Sequence, residues 1–175
     1  MPSDPTGTHP IGVLARPAPD FFDDNMGLVA FNYIEFNPPA GLHYQTIALY
    51  NNAKSGVLFK VYAIVAECNG GGGLSAWFAP GTVGTLQNGA GSLRPDVGVP
   101  YGQLYFQQTD VAAGVPNPFI PAGINGIVPT GGFDSNIAAP GFPLFIVPVG
   151  YSLVLSNISS SVNTGASFWY QLANE

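Results

Sequence analysis

Alternation of apolar and polar residues is clearest between residues 57 and 68. Every odd position from 57 to 65 is apolar, whereas the even positions include Lys60 and Tyr62. A period of two residues is typical of a β-strand that has one face in the core and the other outward. We therefore predict a strand over 57–68 whose inward face consists of Val57, Phe59, Val61, Ala63 and Val65.

The remaining chain is divided into short segments rich in β-branched and aromatic residues, which turns containing Gly, Pro and Asn separate. No segment shows a 3.6-residue apolar period over eleven residues, as a helix would require. The other predicted strands are 28–36, 43–50, 74–78, 103–109, 143–147, 151–158 and 166–172, with a weaker one around 82–86. About eight strands without intervening helices predict an all-β fold, namely an antiparallel β-sandwich of the jelly-roll type.

Two segments depart from this strand pattern. Residues 1–25 contain five prolines, which prevent a helix and favour extended backbone, so we predict an extended N-terminal arm. Residues 26–175 then form a single β-sandwich domain. Within it, residues 110–142 hold five prolines and six glycines and are predicted to be a long irregular segment. Irregular segments of this length are commonly functional or interface-forming.

Charged residues are scarce in this chain. They make up 8% of its 175 residues, against about 25% in an average soluble domain. Asn, Gln, Ser and Thr supply most of the polarity, and the formal net charge is −6. Four Lys and Arg residues cannot neutralise many phosphates, so we expect no nucleic-acid partner and no anionic membrane surface. We also expect no membrane span and no secretory signal, because no apolar run is long enough and the first ten residues carry no basic start.

The residues for metal binding or catalysis are few. Asp20, Asp23 and Asp24 do not match the alternating ligands of a calcium loop, so a solvated acidic turn is the favoured interpretation and a weak calcium site the alternative. His9 and His43 are the only histidines, and we interpret both as surface or strand-edge residues. We therefore expect no metal, no cofactor and no enzymatic activity.

Aromatic residues near strand ends are the candidates for ligand stacking. They are Trp77, Phe78, Tyr101 and Tyr105. An aromatic face can pack against a sugar ring, which would make the domain a carbohydrate- or receptor-binding module. Ordinary packing in the core and rim of a sandwich is the competing interpretation, because every strand of such a fold needs residues of this type.

The C-terminal third carries a resemblance to a known class of protein. Residues 140–155 read PGFPLFIVPVGYSLVL, and residues 166–175 read ASFWYQLANE. Together they resemble the closing strands of small virion structural proteins of tailed bacteriophages, which are β-sandwich or jelly-roll subunits. The resemblance implies a capsid decoration, cement or minor structural subunit. It carries no catalytic residues.

Charge depletion and this resemblance indicate the same function. The cores of permanent interfaces are poor in charge, so an uncharged domain with extended segments suits an assembly subunit. We predict a non-enzymatic virion protein, synthesised in the host cytoplasm, whose partners are other copies of itself and virion proteins such as the major capsid protein. A tail adhesin that binds carbohydrate or a receptor is the alternative. The predicted interface residues are Pro10, Ile11, Val13, Leu14, Pro116, Pro118, Phe119 and Pro121.

Overall fold

The computed structural model describes residues 29–36, 41–68, 73–89, 91–92, 102–122, 135–138, 143–160 and 164–174. These residues form strands, turns and irregular backbone, and no helix occurs among them. The predicted arm over 1–25 lies outside the described residues.

Eleven strands make up the described structure. They are β1 (Val29–Phe36), β2 (His43–Asn51), β3 (Val57–Cys68), β4 (Leu74–Pro80), β5 (Thr85–Gly89), β6 (Gly91–Ser92), β7 (Gly102–Asp110), β8 (Ser135–Ala138), β9 (Phe145–Val147), β10 (Tyr151–Asn157) and β11 (Thr164–Asn174). The eight predicted strands correspond to β1–β4, β7 and β9–β11, and the weaker one corresponds to β5.

The strands form two antiparallel sheets. The first sheet has the order β6-β1-β11-β3-β8, with β9 also paired to β3. The second sheet has the order β4-β10-β2-β7-β5. The predicted all-β antiparallel sandwich is therefore confirmed.

Successive strands cross between the sheets, as in a jelly roll. The β1–β2 pair lies beside β10–β11, which in turn lies beside β3–β4, so that three two-strand ribbons wind together through both sheets. The fourth ribbon is split: β8 and β9 pair with β3, whereas β7 pairs with β2 on the opposite side of the second sheet. This split makes β2 an interior strand with β10 on one side and β7 on the other.

The main core fills the space between the sheets. Phe59 and Tyr170 stack at its centre, with ring centroids 4.6 Å apart and planes 25° apart. The other fully buried members come from strands of both sheets: Ile47, Leu49, Val61, Ile64, Ala66, Leu74, Ala76, Leu104, Val147, Leu153, Leu155, Ala166 and Phe168. Burial of this many large apolar side chains is the dominant stabilising contribution in a domain of this size.

The inward face of β3 changes partway along the strand. Phe59 and Val61 belong to the core as predicted, but further on it is Ile64 and Ala66 that do so. Trp169 pairs with Ala63 and Tyr170 with Val61, so Tyr62 is the extra residue of a bulge in β3. A bulge of one residue reverses the side-chain alternation beyond it. The predicted core position of Val65 is therefore wrong, since this residue is only half-buried, whereas Ala63 is buried but is not a member of the main core cluster.

The predicted bounds of β5 also differ from the observed ones. The predicted strand covered 82–86, whereas β5 begins at Thr85. Gly84 has φ +87°, which is outside the strand region, and a Cβ there would collide with the backbone carbonyl of Phe106 on β7. The chain therefore enters the sheet only after this glycine. Within 110–142, the short strand β8 lies in the segment predicted to be irregular.

Buried amides join the two sheets at both ends of the sandwich. Asn51 on β2 donates from Nδ2 to the carbonyls of Val57 (2.7 Å) and Val147 (3.0 Å), and its Oδ1 accepts from Ser55 Oγ (2.6 Å). At the other end, Gln45 Oε1 accepts from the Thr164 backbone N–H at 3.1 Å. Both amide residues are fully buried, so each bond is made without competition from water.

Replacement of Asn51 by Ala is expected to destabilise the fold by about 3 kcal/mol, because it removes the donor to the buried Val147 carbonyl, one of two donors to the Val57 carbonyl and the acceptor of Ser55 Oγ. Urea unfolding followed by circular dichroism measures this loss. Asn52→Ala is the matched control: Asn52 is half-buried, and its removal is expected to cost less than about 1 kcal/mol. Equal losses in the two variants would contradict the role given to Asn51.

Tyr62 gives the fold a dependence on alkaline pH. Burial raises the pKa of its phenol above the ordinary value of 10.0. Above pH 10 the unfolded chain therefore releases this proton before the folded chain does, and stability falls as the pH rises. We expect Tyr62→Phe to make the free energy of unfolding fall less steeply between pH 9 and pH 11 (about one pH unit on either side of the ordinary value). Parallel stability curves for the two proteins would contradict this.

Candidate functional site

The outer face of the second sheet carries a small apolar cluster. Register pairing places Trp77 beside Val154, Val154 beside Ala48, and Ala48 beside Tyr105, so that one row crosses four strands. Trp77, Ala48 and Val154 are buried although they point away from the main core. Both faces of this sheet are therefore covered at this row.

The cover is the segment that follows β7, residues 111–122, which we call the strap. Phe119 and Ile120 of the strap pack against the outer cluster. The strap begins with a bond from the Val111 N–H to the Leu42 carbonyl at 2.8 Å, and Tyr44 Oη donates to the Val115 carbonyl at 2.9 Å. Residues 111–122 of the predicted irregular segment thus form a structured cover over their own sheet.

Asn117 fixes the middle of the strap. Its Nδ2 donates to Ser156 Oγ at 2.8 Å and to the Asn157 carbonyl at 2.7 Å, and its Oδ1 accepts from the Phe119 N–H at 2.8 Å. Ser156 Oγ in turn donates to the Gln45 carbonyl at 2.8 Å and lies 3.1 Å from Thr46 Oγ1. Neutral hydrogen bonds hold the strap to the sheet. No ion pair joins the two among the described residues.

Charge is almost absent from the strands of this sheet. In β2, β4, β5, β7 and β10 together, the one Asp, Glu, Lys or Arg is Asp110, the last residue of β7. Lys54, in the turn between β2 and β3, is exposed. The polar side chains of these strands are otherwise hydroxyls, amides and the buried imidazole of His43.

Large apolar side chains are exposed on this sheet and its connections. Val115 on the strap and Leu86 on β5 are 42% and 50% exposed. At one corner of the sandwich Phe78 packs edge-on against Phe145 of the first sheet, with centroids 5.9 Å apart, and remains largely exposed. The others on this sheet and its connections are Leu42, Tyr151 and Ile158, whereas Ile146 is exposed on β9 of the first sheet. This surface combines little charge with repeated apolar exposure.

The predicted interface residues divide between the strap and the N-terminal arm. Pro116, Pro118 and Pro121 are exposed on the strap, whereas Phe119 is half-buried against the outer cluster. Phe119 therefore holds the strap to its own sheet and leaves the prolines as the outward-facing residues. Those predicted in the arm lie outside the described residues: Pro10, Ile11, Val13 and Leu14.

The structure separates the residues predicted to stack on a ligand. Trp77 is 9% exposed beneath the strap, so its ring is occupied by intramolecular packing. Phe78 lies at the exposed corner of the sandwich, and Tyr105 is half-buried on the outer face of the second sheet. Tyr101 lies outside the described residues.

Tyr105 has aromatic and amide neighbours that sequence reasoning missed. Tyr50 on β2 meets Tyr105 edge to face, with centroids 5.8 Å apart and planes at 89°. Tyr50 pairs with Gln103, and Asn52 Nδ2 lies 3.4 Å from Gln103 Oε1. These neighbours become visible only in the pairing of β2 with β7, which brings together residues more than fifty positions apart. The sequence of either strand alone does not reveal them.

Few of the described residues have side chains suited to catalysis or metal binding. Of the two predicted placements of His43, surface or strand edge, the structure excludes the surface: the residue is the first of β2 but is buried, and its Nδ1 donates to the Gly41 carbonyl at 3.0 Å. Within the described ranges no three His, Cys, Asp or Glu residues come together in a way that could hold a metal ion.

The same ranges contain no helix that is long and apolar enough to cross a membrane.

No protein-family model, curated protein or solved structure matches this chain.

Removing the Asn117 side chain is expected to loosen the strap without unfolding the sandwich. Asn117→Ala deletes two donated bonds, so the free energy of local opening should fall by about 2 kcal/mol, which is about 30-fold in amide exchange. Hydrogen–deuterium exchange at Phe119 and Ile120 measures this change. Pro116→Ala, at an exposed strap position, is the control. Unchanged exchange in Asn117→Ala would show that other contacts hold the strap.

Proposed function

We propose that this chain is a non-enzymatic structural subunit of a virion, of the bacteriophage capsid decoration, cement or minor structural type. The observation that carries the proposal is the second sheet, whose strands hold a single charged residue at one end. A solitary soluble domain usually covers its surface with Lys and Glu. Charge depletion of this kind is typical of surfaces that become buried between subunits.

The strap supports the same proposal. Its inner side chains are engaged with the sheet, and its outer side presents Val115 and three prolines. Proline has no N–H to leave unsatisfied and little side-chain entropy to lose, so it is well suited to a contact surface. We infer that neighbouring subunits, other copies of this chain or the major capsid protein, contact the strap and the adjoining sheet.

A charge placed on the strap is expected to weaken assembly. Val115→Lys would bury an ammonium group in the proposed interface, whereas the backbone carbonyl that binds Tyr44 is retained. Ala53→Lys adds the same charge at an exposed position next to Lys54 and is the matched control. Sedimentation equilibrium should show weaker self-association only for Val115→Lys. Equal weakening, or none in either variant, would remove the strap from the interface.

The extended arm is expected to contribute to incorporation into particles. An extended segment can add backbone hydrogen bonds at a neighbour's sheet edge. Deletion of residues 2–20 should therefore reduce the amount of protein that copurifies with assembled particles, while circular dichroism of the purified sandwich stays unchanged. Undiminished incorporation would count against the arm.

A further inference from the structure

We propose that the outer face of the second sheet also carries a binding site for a neutral saccharide, built from Tyr50, Asn52, Gln103 and Tyr105, which we call the amide–tyrosine patch. This inference stands independently of the proposed virion function. It concerns a small ligand at the β2–β7 pair, from half-buried Tyr105 to the turn at Asn52, whereas the strap covers Trp77 and Val154 on β4 and β10.

The two tyrosines provide the stacking surface. The planes of their rings are 89° apart, so the edge of one ring meets the face of the other. Both residues are half-buried. Tyr50 Oη accepts from the Ala53 N–H at 3.3 Å, and Tyr105 packs against the outer cluster. Both rings are held by the protein before any ligand arrives, which reduces the entropy lost on binding.

The two amides provide the hydrogen bonds. Asn52 Nδ2 donates to Gln103 Oε1, and Asn52 Oδ1 accepts from the Lys54 N–H at 2.9 Å, so both side chains are oriented. Gln103 Nε2 has no hydrogen-bond partner among the described residues. An oriented amide beside an aromatic ring matches a pyranose, whose C–H face packs on the ring while its hydroxyls exchange hydrogen bonds with the amide.

The surroundings favour a neutral ligand over a charged one. The one carboxylate in the strands of this sheet is Asp110 at the end of β7. It is seven residues beyond Gln103 and thus about 24 Å away along the strand. Lys54 is exposed in the turn that begins beyond Asn52, and its backbone N–H donates to Asn52 Oδ1. The described strands of this sheet hold no Lys or Arg to pair with a carboxylate or sulfate on the ligand, whereas hydroxyls find both donors and acceptors.

Titration of the ¹⁵N-labelled full chain with separate oligosaccharides tests the proposal. The probes are malto-, cello-, xylo-, manno- and N-acetylchito-oligosaccharides, each at about 10 mM, with 3′-sialyllactose as the anionic comparison. We expect at least one neutral probe to shift the amide signals of Tyr50, Asn52 and Gln103, and sialyllactose to leave them unchanged.

Variants locate the binding. Gln103→Ala and Tyr50→Leu should each weaken the affinity for that probe about tenfold. Ile158→Ala removes an exposed side chain six residues beyond Ser152, the β10 partner of Tyr50, and should leave the affinity unchanged. Gln103→Ala removes a half-buried side chain with one long hydrogen bond, so the fold should tolerate it.

Three results would overturn the proposal. The first is that no neutral probe shifts these signals, and the second is that the anionic probe binds as well as the neutral ones. The third is that Gln103→Ala binds the probe with unchanged affinity. None of them bears on self-association, so failure of the saccharide site and failure of the assembly role are separately visible.

Discussion

Strand β2 is buried on both faces, and the rest of the molecule is arranged to satisfy that constraint. Its inner side chains, Ile47 and Leu49, lie in the main core, whereas Tyr44, Thr46 and Ala48 point outward and are equally inaccessible. A strand in this position cannot carry charge, because an unpaired buried charge is very costly. β10 follows the same pattern from Ser152 to Asn157, whereas β7 is mostly half-buried, and the strap supplies the second cover.

Neutral side chains perform the tasks that ion pairs perform elsewhere. Asn51 and Gln45 join the sheets at opposite ends of the sandwich, and Asn117 joins the strap to β10. An amide offers both donors and acceptors without the desolvation penalty of a charge, so it can be fully satisfied inside a sheet protein. The low charge of the sequence is thus in part a property of the fold itself. The exposed apolar residues on the strap and at the Phe78 corner are not required by the fold, and they support the proposed assembly role.

Sequence patterns were sufficient where the structure depends on neighbouring residues. The alternation in β3 predicted its two ends, and the absence of a helical period predicted the fold class. Patterns failed where two distant strands decide the outcome. The bulge at Tyr62 exists only relative to β11, and β8, with Ile137 as its one large apolar residue, is a strand only because β3 lies beside it. The candidate sites divide similarly: Tyr105 could be selected as an aromatic residue, but Tyr50, Asn52 and the intramolecular role of Phe119 follow from register and from the path of the strap.

We propose that the uncharged surface of this sandwich is an assembly surface. Size-exclusion chromatography with multi-angle light scattering on the purified full-length chain tests it most directly, because one protomer has a mass of 18.2 kDa. Association predicts a discrete multiple of that mass, or a mass that rises with loading concentration. A constant mass of one protomer up to about 0.5 mM, where even contacts of submillimolar affinity would be populated, would contradict self-assembly through this surface.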